Sequence, residues 1–154
     1  MKKLLMATVA CALVVGLVAV PAAAVKSPKL VGGTVSVFVT PNQVPATPPT
    51  TVTASGNVGS NSSCRKDRTV RFAYINSATL AVTPLVQTAE TGPNGDHTAV
   101  LPAPTATSVI QAKVDQQFRK VGSKKKGKKT KKGRQFDCLE ITGQSAPVTV
   151  VPVP

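Results

Sequence analysis

The sequence has few aromatic residues, with no Trp, one Tyr and four Phe among 154 residues. A large aromatic core is therefore excluded, and the core has to be built from Val, Ala, Leu and Ile. Because branched side chains such as Val and Thr fit the pleated surface of a sheet, this composition favours strands over helices. Thirteen Pro and eleven Gly interrupt the chain at short intervals, which leaves little room for long helices.

Histidine and acidic residues are also scarce, which limits the chemistry available to the chain. It has one His and six Asp or Glu, scattered singly and without a CxxC pair, so no zinc or calcium spacing is present. His97 and Asp96 point to opposite faces if both lie on a strand. We therefore expect His97 to be a surface or half-buried residue beside a turn. We predict no catalytic residue, metal ligand or cofactor, and no enzymatic activity.

Residues 1–24 have the three parts of a secretory signal peptide. Two lysines precede an apolar run at 4–20, and the small residues that follow end in an A-x-A cleavage site at Ala24. A retained membrane anchor is the alternative, but a run of about 17 residues that ends in small residues fits a cleaved leader better. We predict a secreted or cell-envelope protein with no stable membrane insertion after cleavage.

Removal of the leader takes Cys11 with it and leaves two cysteines, Cys64 and Cys138. An exported protein meets an oxidising environment, and an even cysteine count invites pairing. A bond between them would close a loop of about 75 residues and stabilise the fold by about 4 kcal/mol in the chain-entropy model. From these residues alone, two buried free thiols remain the alternative.

Alternating apolar and polar residues predict seven or eight short strands over residues 34–154, after a spacer at 25–33. The predicted strands lie at 34–40, 51–58, 69–76, 80–87, 97–101, 108–116, 136–142 and 148–153. Pro84 suggests that its strand lies at a sheet edge, and Asn94-Gly95 is a strong hairpin signal. The proline-rich residues 41–49 are predicted as a loop and residues 143–147 as a turn. This pattern, without helical periodicity, predicts an all-β fold, specifically an antiparallel β-sandwich.

A spaced set of residues covers most of the predicted domain. It comprises Cys64-x-x-x-Arg68-x-Val70, Thr91, the Gly95 turn, Gln111-Ala112-Lys113-Val114, Cys138 and Ser145-x-x-Val148-x-Val150. In this spacing the chain resembles a secreted bacterial immunoglobulin-like or transthyretin-like β-sandwich domain, of the kind found in actinobacterial exported proteins. The resemblance implies one disulfide, between Cys64 and Cys138. The chain departs from the pattern at His97, where an aromatic residue usually follows the turn glycine, and in the length of its basic insertion.

Residues 119–134, here called the basic segment, concentrate the charge of the chain. The ten basic residues are Arg119, Lys120, Lys124, Lys125, Lys126, Lys128, Lys129, Lys131, Lys132 and Arg134. The formal net charge is +13, yet outside this segment the mature chain has seven basic and six acidic residues. Such a cluster predicts salt-sensitive contact with anionic polymers, whether an envelope polymer, a polysaccharide or a nucleic acid. No aromatic residue lies between Phe118 and Phe136, so binding to a nucleic acid would be unspecific in sequence.

Three other interpretations of the basic segment remain. Its glycines with Ser123 and Thr130 are typical of a flexible, self-repelling loop that joins two strands and aids solubility without any partner. In the second interpretation, the segment is a processing site for a protease that cleaves at exposed dibasic sites. A nuclear-import sequence is the third, and the predicted export argues against it. We predict a monomeric, non-catalytic secreted module. The alternatives are a purely structural exported domain, or a secreted enzyme or inhibitor that uses a loop.

Overall fold

The computed structural model describes residues 27–47, 50–122 and 133–152. Within these ranges the chain forms twelve strands in three sheets, without a helix, so the all-β prediction is confirmed. No helix among the described residues has the length and apolar character to cross a membrane. The predicted signal peptide at 1–24 lies outside the described ranges.

Twelve strands follow one another along the chain. They are β1 (Lys29–Val31), β2 (Thr34–Val35), β3 (Phe38–Thr40), β4 (Gln43–Pro45), β5 (Thr51–Gly59), β6 (Thr69–Asn76), β7 (Val82–Glu90), β8 (Asp96–Pro102), β9 (Ser108–Val114), β10 (Gln117–Val121), β11 (Arg134–Cys138) and β12 (Ile141–Val151).

The largest sheet has five strands in the order β4-β12-β9-β6-β7. Strand β6 pairs antiparallel with both β7 and β9, and Val70 lies opposite Val114. Since β7 forms the end of this sheet, Pro84 lies on an edge strand as predicted, where its missing N–H is tolerated. The sequence thus predicted the edge position of β7, and β6 lies inside the sheet next to it.

In the second sheet, β5 pairs with β2 and β3 along one edge and with β8 along the other. The hairpin predicted at Asn94-Gly95 is wrong, because β8 pairs with β5 and not with β7. Gly95 does make a tight turn, with a φ of 92° that favours glycine. This turn carries the chain from the five-stranded sheet to the second sheet.

The buried core is mostly aliphatic, as the composition predicted, with Phe72 and Tyr74 as its aromatic members. Apart from Val37, which lies between β2 and β3, its members come from strands of the two larger sheets: Val35, Val37, Val44, Val52, Ala54, Val58, Val70, Phe72, Tyr74, Ala89, Ala99, Leu101, Ile110, Ala112, Val114 and Val148. The alternation in β6 and β9 buries one face of each strand. Burial of these side chains supplies the hydrophobic contribution to stability.

The third sheet is small and has the order β1-β11-β10. Strand β1 runs parallel to β11, and β4 runs parallel to β12. The sheets are therefore mixed, and the expectation of seven or eight antiparallel strands does not describe them. Two additional strands, β1 and β4, come from the predicted spacer at 25–33 and the predicted loop at 41–49, and β10 comes from a segment that was not predicted as a strand. The fourth arises because the predicted strand at 34–40 is divided in two. Three residues of β1 and three of β4 pair with an existing strand.

Serine side chains explain two differences in strand boundaries. The predicted strand at 34–40 is divided into β2 and β3 at Ser36, whose hydroxyl accepts a hydrogen bond from the backbone N–H of Asn57 at 3.0 Å. The predicted turn at 143–147 lies inside β12, where the register with β9 shifts. There the hydroxyl of Ser145 accepts the N–H of Ile110 at 3.1 Å. In both places a hydroxyl substitutes for a backbone carbonyl and allows the irregularity.

Candidate functional site

Cys64 and Cys138 form a disulfide, which confirms the predicted pairing. Their Cα atoms lie 5.4 Å apart, the two residues are 74 positions apart in sequence, and both are fully buried. Cys138 ends β11 and Cys64 lies in the segment before β6. The bond therefore links the small sheet to the segment that joins β5 to β6.

A buried arginine lies beside the disulfide. Arg68 is 2% exposed, and its Nη1 donates to the carbonyl of Cys64 at 3.3 Å. Its Nη2 donates to the carbonyls of Leu139 at 2.9 Å and Cys138 at 3.4 Å, and also to that of Asp115. The guanidinium thus connects three chain segments around the sulfur atoms.

Burial lowers the pKa of Arg68, and the nearby charge of Arg119 lowers it further, while Asp115 opposes the change. Arginine nevertheless keeps its charge in proteins, so the carbonyl oxygens around it compensate a buried cation. In the sequence, Arg68 stands out only as part of the resemblance to secreted β-sandwich domains. Its position two residues before Val70, in phase with the inward face of β6, is the signal that indicates burial.

The basic segment begins and ends inside strands. Arg119 and Lys120 belong to β10 and Arg134 begins β11, so the prediction of a loop over the whole of 119–134 is wrong at both ends. The two strands pair antiparallel, with Val121 opposite Arg134. The seven remaining residues, Lys124, Lys125, Lys126, Lys128, Lys129, Lys131 and Lys132, lie outside the described residues.

The strand pairing distributes the described cations over both faces of the small sheet. Arg119 lies opposite Phe136, and Val121 lies opposite Arg134. Because residues two positions apart on a strand share a face, the side chains of Arg119 and Arg134 lie on the same face of the strand pair. Lys120 lies opposite Gln135 on the other face. Positive charge therefore borders both faces of the β10–β11 pair.

Arg119 makes contacts within the protein. Its Nη2 donates to the carbonyl of Asp67 at 2.7 Å, its Nη1 lies 3.3 Å from Oδ2 of the same residue, and its Nε donates to Oε1 of Gln117 at 3.0 Å. The side chain of Arg119 is only 16% exposed. Its guanidinium is therefore held in place at the base of the basic segment.

An open cleft of about 670 Å³ runs beside β10. It is lined by all five residues of that strand and, from the facing segments, by Ser62, Ser63, Lys66 and Pro93. Phe118 and Lys120 are exposed there. This cleft could not be predicted from the sequence, because residues 62–66, Pro93 and residues 117–121 are far apart in the chain and meet only in the folded protein.

His97 is buried, contrary to the prediction of a surface or half-buried residue. It is 3% exposed, its ring centroid lies 6.1 Å from that of Phe72, and neither ring nitrogen has a hydrogen-bond partner among the described residues. Burial lowers its pKa, although the backbone of Gly95 and the charge of Asp96 offset part of this effect. Asp96 is exposed on the opposite face, and His97 faces inward because it is in phase with Ala99 and Leu101.

The described residues contain no group of three or more His, Cys, Asp and Glu side chains that could hold a metal ion. Comparison of the chain with protein-family models, curated proteins and solved structures finds no significant match in any of the three. The fold is that of an all-β domain with one disulfide. The resemblance to secreted immunoglobulin-like or transthyretin-like domains stays a prediction.

Proposed function

We propose that the protein is an exported, non-catalytic module of the β-sandwich type, with the basic segment as a contact surface for anionic polymers. One observation supports this more than any other. Ten of sixteen residues at 119–134 are basic, while the rest of the mature chain is nearly neutral. A cluster of this kind concentrates the positive potential at one place on the molecule.

Export is supported by the signal-like residues 1–24 and by the disulfide. Disulfides persist in oxidising compartments and are rare in the cytosol. The bond between Cys64 and Cys138 is therefore compatible with an extracellular or envelope location. The β-sandwich assignment is supported by the shared aliphatic core of the two larger sheets.

The physical basis of polymer binding would be the release of counterions. A polyanion carries condensed cations, and clustered Lys and Arg side chains displace them on contact. The strand pair β10–β11 supports this role because it brings the two ends of the basic segment together at Val121 and Arg134. Contacts of this kind do not depend on the sequence of the polymer.

Retention of the mature protein on a heparin matrix tests this proposal. The expected result is strong retention that is lost when Lys124, Lys125, Lys126, Lys128, Lys129, Lys131 and Lys132 are all changed to Ser. Unchanged retention of this variant would refute the proposal.

A matched pair of variants separates clustering from net charge. One variant changes Lys124, Lys125 and Lys126 to Ser, and the other changes Lys29, Arg71 and Lys113 to Ser. Both lose three positive charges, so equal retention of the two would mean that net charge alone controls binding. We expect the first variant to elute at clearly lower salt than the second.

A further inference from the structure

We propose that β10 and the facing residues 62–66 form a second binding site, which accepts an extended acidic peptide as an additional strand. This site shares Arg119, Lys120 and Val121 with the basic segment. It differs from the polymer contact proposed above because it uses the backbone of β10 and the cleft beside it. The inference rests on the strand edge, the charges that line the cleft and the alternation of the β10 side chains.

Strand β10 has one unpaired edge within the described part of the chain. It pairs with β11 on one side and forms the end of the three-stranded sheet. All five of its residues line the cleft. An edge strand presents a row of backbone donors and acceptors, and an extended peptide can pair with such a row. The cleft volume of about 670 Å³ lies within the usual range of ligand sites.

The charge of the cleft favours an acidic occupant. Lys66 lines one side and Lys120 lies on the strand opposite, and both side chains are exposed. Ser62 and Ser63 add hydroxyl groups on the same side as Lys66. Arg119 already contacts Asp67 and Gln117, so the two lysines are the groups that would meet a carboxylate. Complementary charges would steer an acidic peptide into the cleft and fix its register.

The alternation of β10 specifies which residues the peptide should have. Phe118 and Lys120 lie two positions apart on one face of the strand, and Phe118 is 58% exposed. On an added strand, the side chains of the same face would lie beside Phe118 and Lys120. The complementary residues are an apolar residue beside Phe118 and an acidic residue beside Lys120. The expected motif is therefore an apolar and an acidic residue separated by one position.

Two other occupants fit less well. A second copy of the chain that pairs antiparallel through the middle of β10 would place Arg119 or Lys120 opposite a cationic residue of its partner, and like charges across a strand pair are destabilising. The amino-terminal part of this chain is also a poor candidate, because no acidic residue occurs before Asp67. A separate acidic peptide is the occupant that the charge of the cleft favours.

The test uses two fluorescently labelled peptides, TETVTTT and TTTVTET, which have the motif in opposite chain directions. Their affinities for the full mature protein are measured by anisotropy, beside TKTVTTT and TTTVTKT controls, and the acidic peptide that binds more tightly is the parent for the next step. Two further versions of the acidic peptide have N-methyl groups on alternate backbone amides. One is methylated at the even-numbered residues and the other at the odd-numbered residues. Strand addition predicts that one methylated peptide binds like the parent and that the other loses binding, because only alternate amides face β10. Equal behaviour of the two methylated peptides would overturn the proposal.

A pair of variants tests the location of the site. Changing Lys66 and Lys120 to Ser should weaken binding of the acidic peptide by about tenfold or more, as expected for the loss of two charged contacts. Changing Lys29 and Lys113 to Ser removes the same net charge elsewhere and should leave the affinity within about twofold. Equal weakening in both variants would place the site elsewhere. Retention on heparin is measured independently. If the unsubstituted mature protein is retained on heparin but does not bind the acidic peptide, this inference is contradicted and the proposed function still stands.

Discussion

Arg119 holds Asp67 in place, with its Nη2 donating to the carbonyl of Asp67 at 2.7 Å. Asp67 has a φ of 49°, a left-handed conformation that few residues other than glycine adopt. Its backbone N–H also donates to the carbonyl of Thr91 at 2.8 Å. The first residue of the basic segment therefore supports the segment that leads into β6, in addition to adding charge.

Arg119 and its neighbour Lys120 should differ in their effect on stability. We expect Arg119→Gln to lower the free energy of unfolding by about 1–2 kcal/mol, because it removes two contacts with Asp67 from a side chain that is mostly buried. Lys120→Gln, on an exposed position of the same strand, should change it by less than about 0.5 kcal/mol. Urea denaturation of both variants gives the comparison, and equal stabilities would contradict the role assigned to Arg119.

The buried imidazole of His97 should make stability depend on pH. Burial lowers its pKa below 6.5 in the folded state, so the unfolded state binds the proton more readily. The contribution to stability is complete above pH 6.5 and is lost as the pH falls from there towards the lowered value. The slope from this one proton is at most about 1.4 kcal/mol per pH unit.

The variant His97→Leu isolates this effect. It should lack the decline that the wild-type protein shows when the pH falls below 6.5. Because it also removes two ring nitrogens without hydrogen-bond partners, its stability at pH 7 should equal or exceed that of the wild type. Urea denaturation at a series of pH values tests both points. The same decline in the variant would assign the acid sensitivity to other groups.

Tyr74 is the one tyrosine in the chain, so its ionisation can be followed without interference. Burial raises its pKa from 10.0 to about 12, and its hydroxyl donates to the carbonyl of Pro102. The stability that depends on the neutral phenol should be complete below pH 10 and lost as the pH rises through about 12. Tyrosinate absorbance of the folded protein should therefore appear near pH 12, and in denaturant near pH 10. Ionisation of the folded protein at its ordinary pKa would contradict the burial of this group.

The disulfide should contribute a large part of the stability. Replacing both Cys64 and Cys138 by Ala should lower the free energy of unfolding by about 4 kcal/mol, because the bond closes a loop between residues 74 positions apart. A thiol assay on the denatured, unreduced mature protein should find no free thiol and, after reduction, two. Two free thiols before reduction would contradict the disulfide between Cys64 and Cys138.

Much of the central fold could be predicted from the sequence, because its strands are long and alternate cleanly. The inward faces of β6 and β9 followed directly from their periodicity. Strands β1 and β4 could not be predicted, since each has three residues and depends on a distant partner. The hairpin at Gly95 was wrong for a related reason: the turn was identified correctly, but the partner of β8 is set by the packing of two sheets.

The candidate sites also differ in how far local sequence could predict them. The basic segment could be predicted because it is a local run of charge. The cleft beside β10 combines residues 62–66 with residues 117–121, and no local pattern connects them. Burial of Arg68 and His97 was detectable only from their phase with neighbouring apolar residues. Contacts between distant segments therefore account for most of what the sequence did not reveal.

The dependence of polymer affinity on salt is the most direct test of the proposed function. The binding constant of the mature protein for a mixed-sequence DNA duplex should fall linearly with salt on logarithmic axes, with a slope of about −0.9 for each phosphate neutralised. The variant with Ser in place of Lys124, Lys125, Lys126, Lys128, Lys129, Lys131 and Lys132 should bind more weakly, with a slope roughly three or more units closer to zero. An equal slope and affinity in the variant would contradict the claim that the basic segment binds anionic polymers.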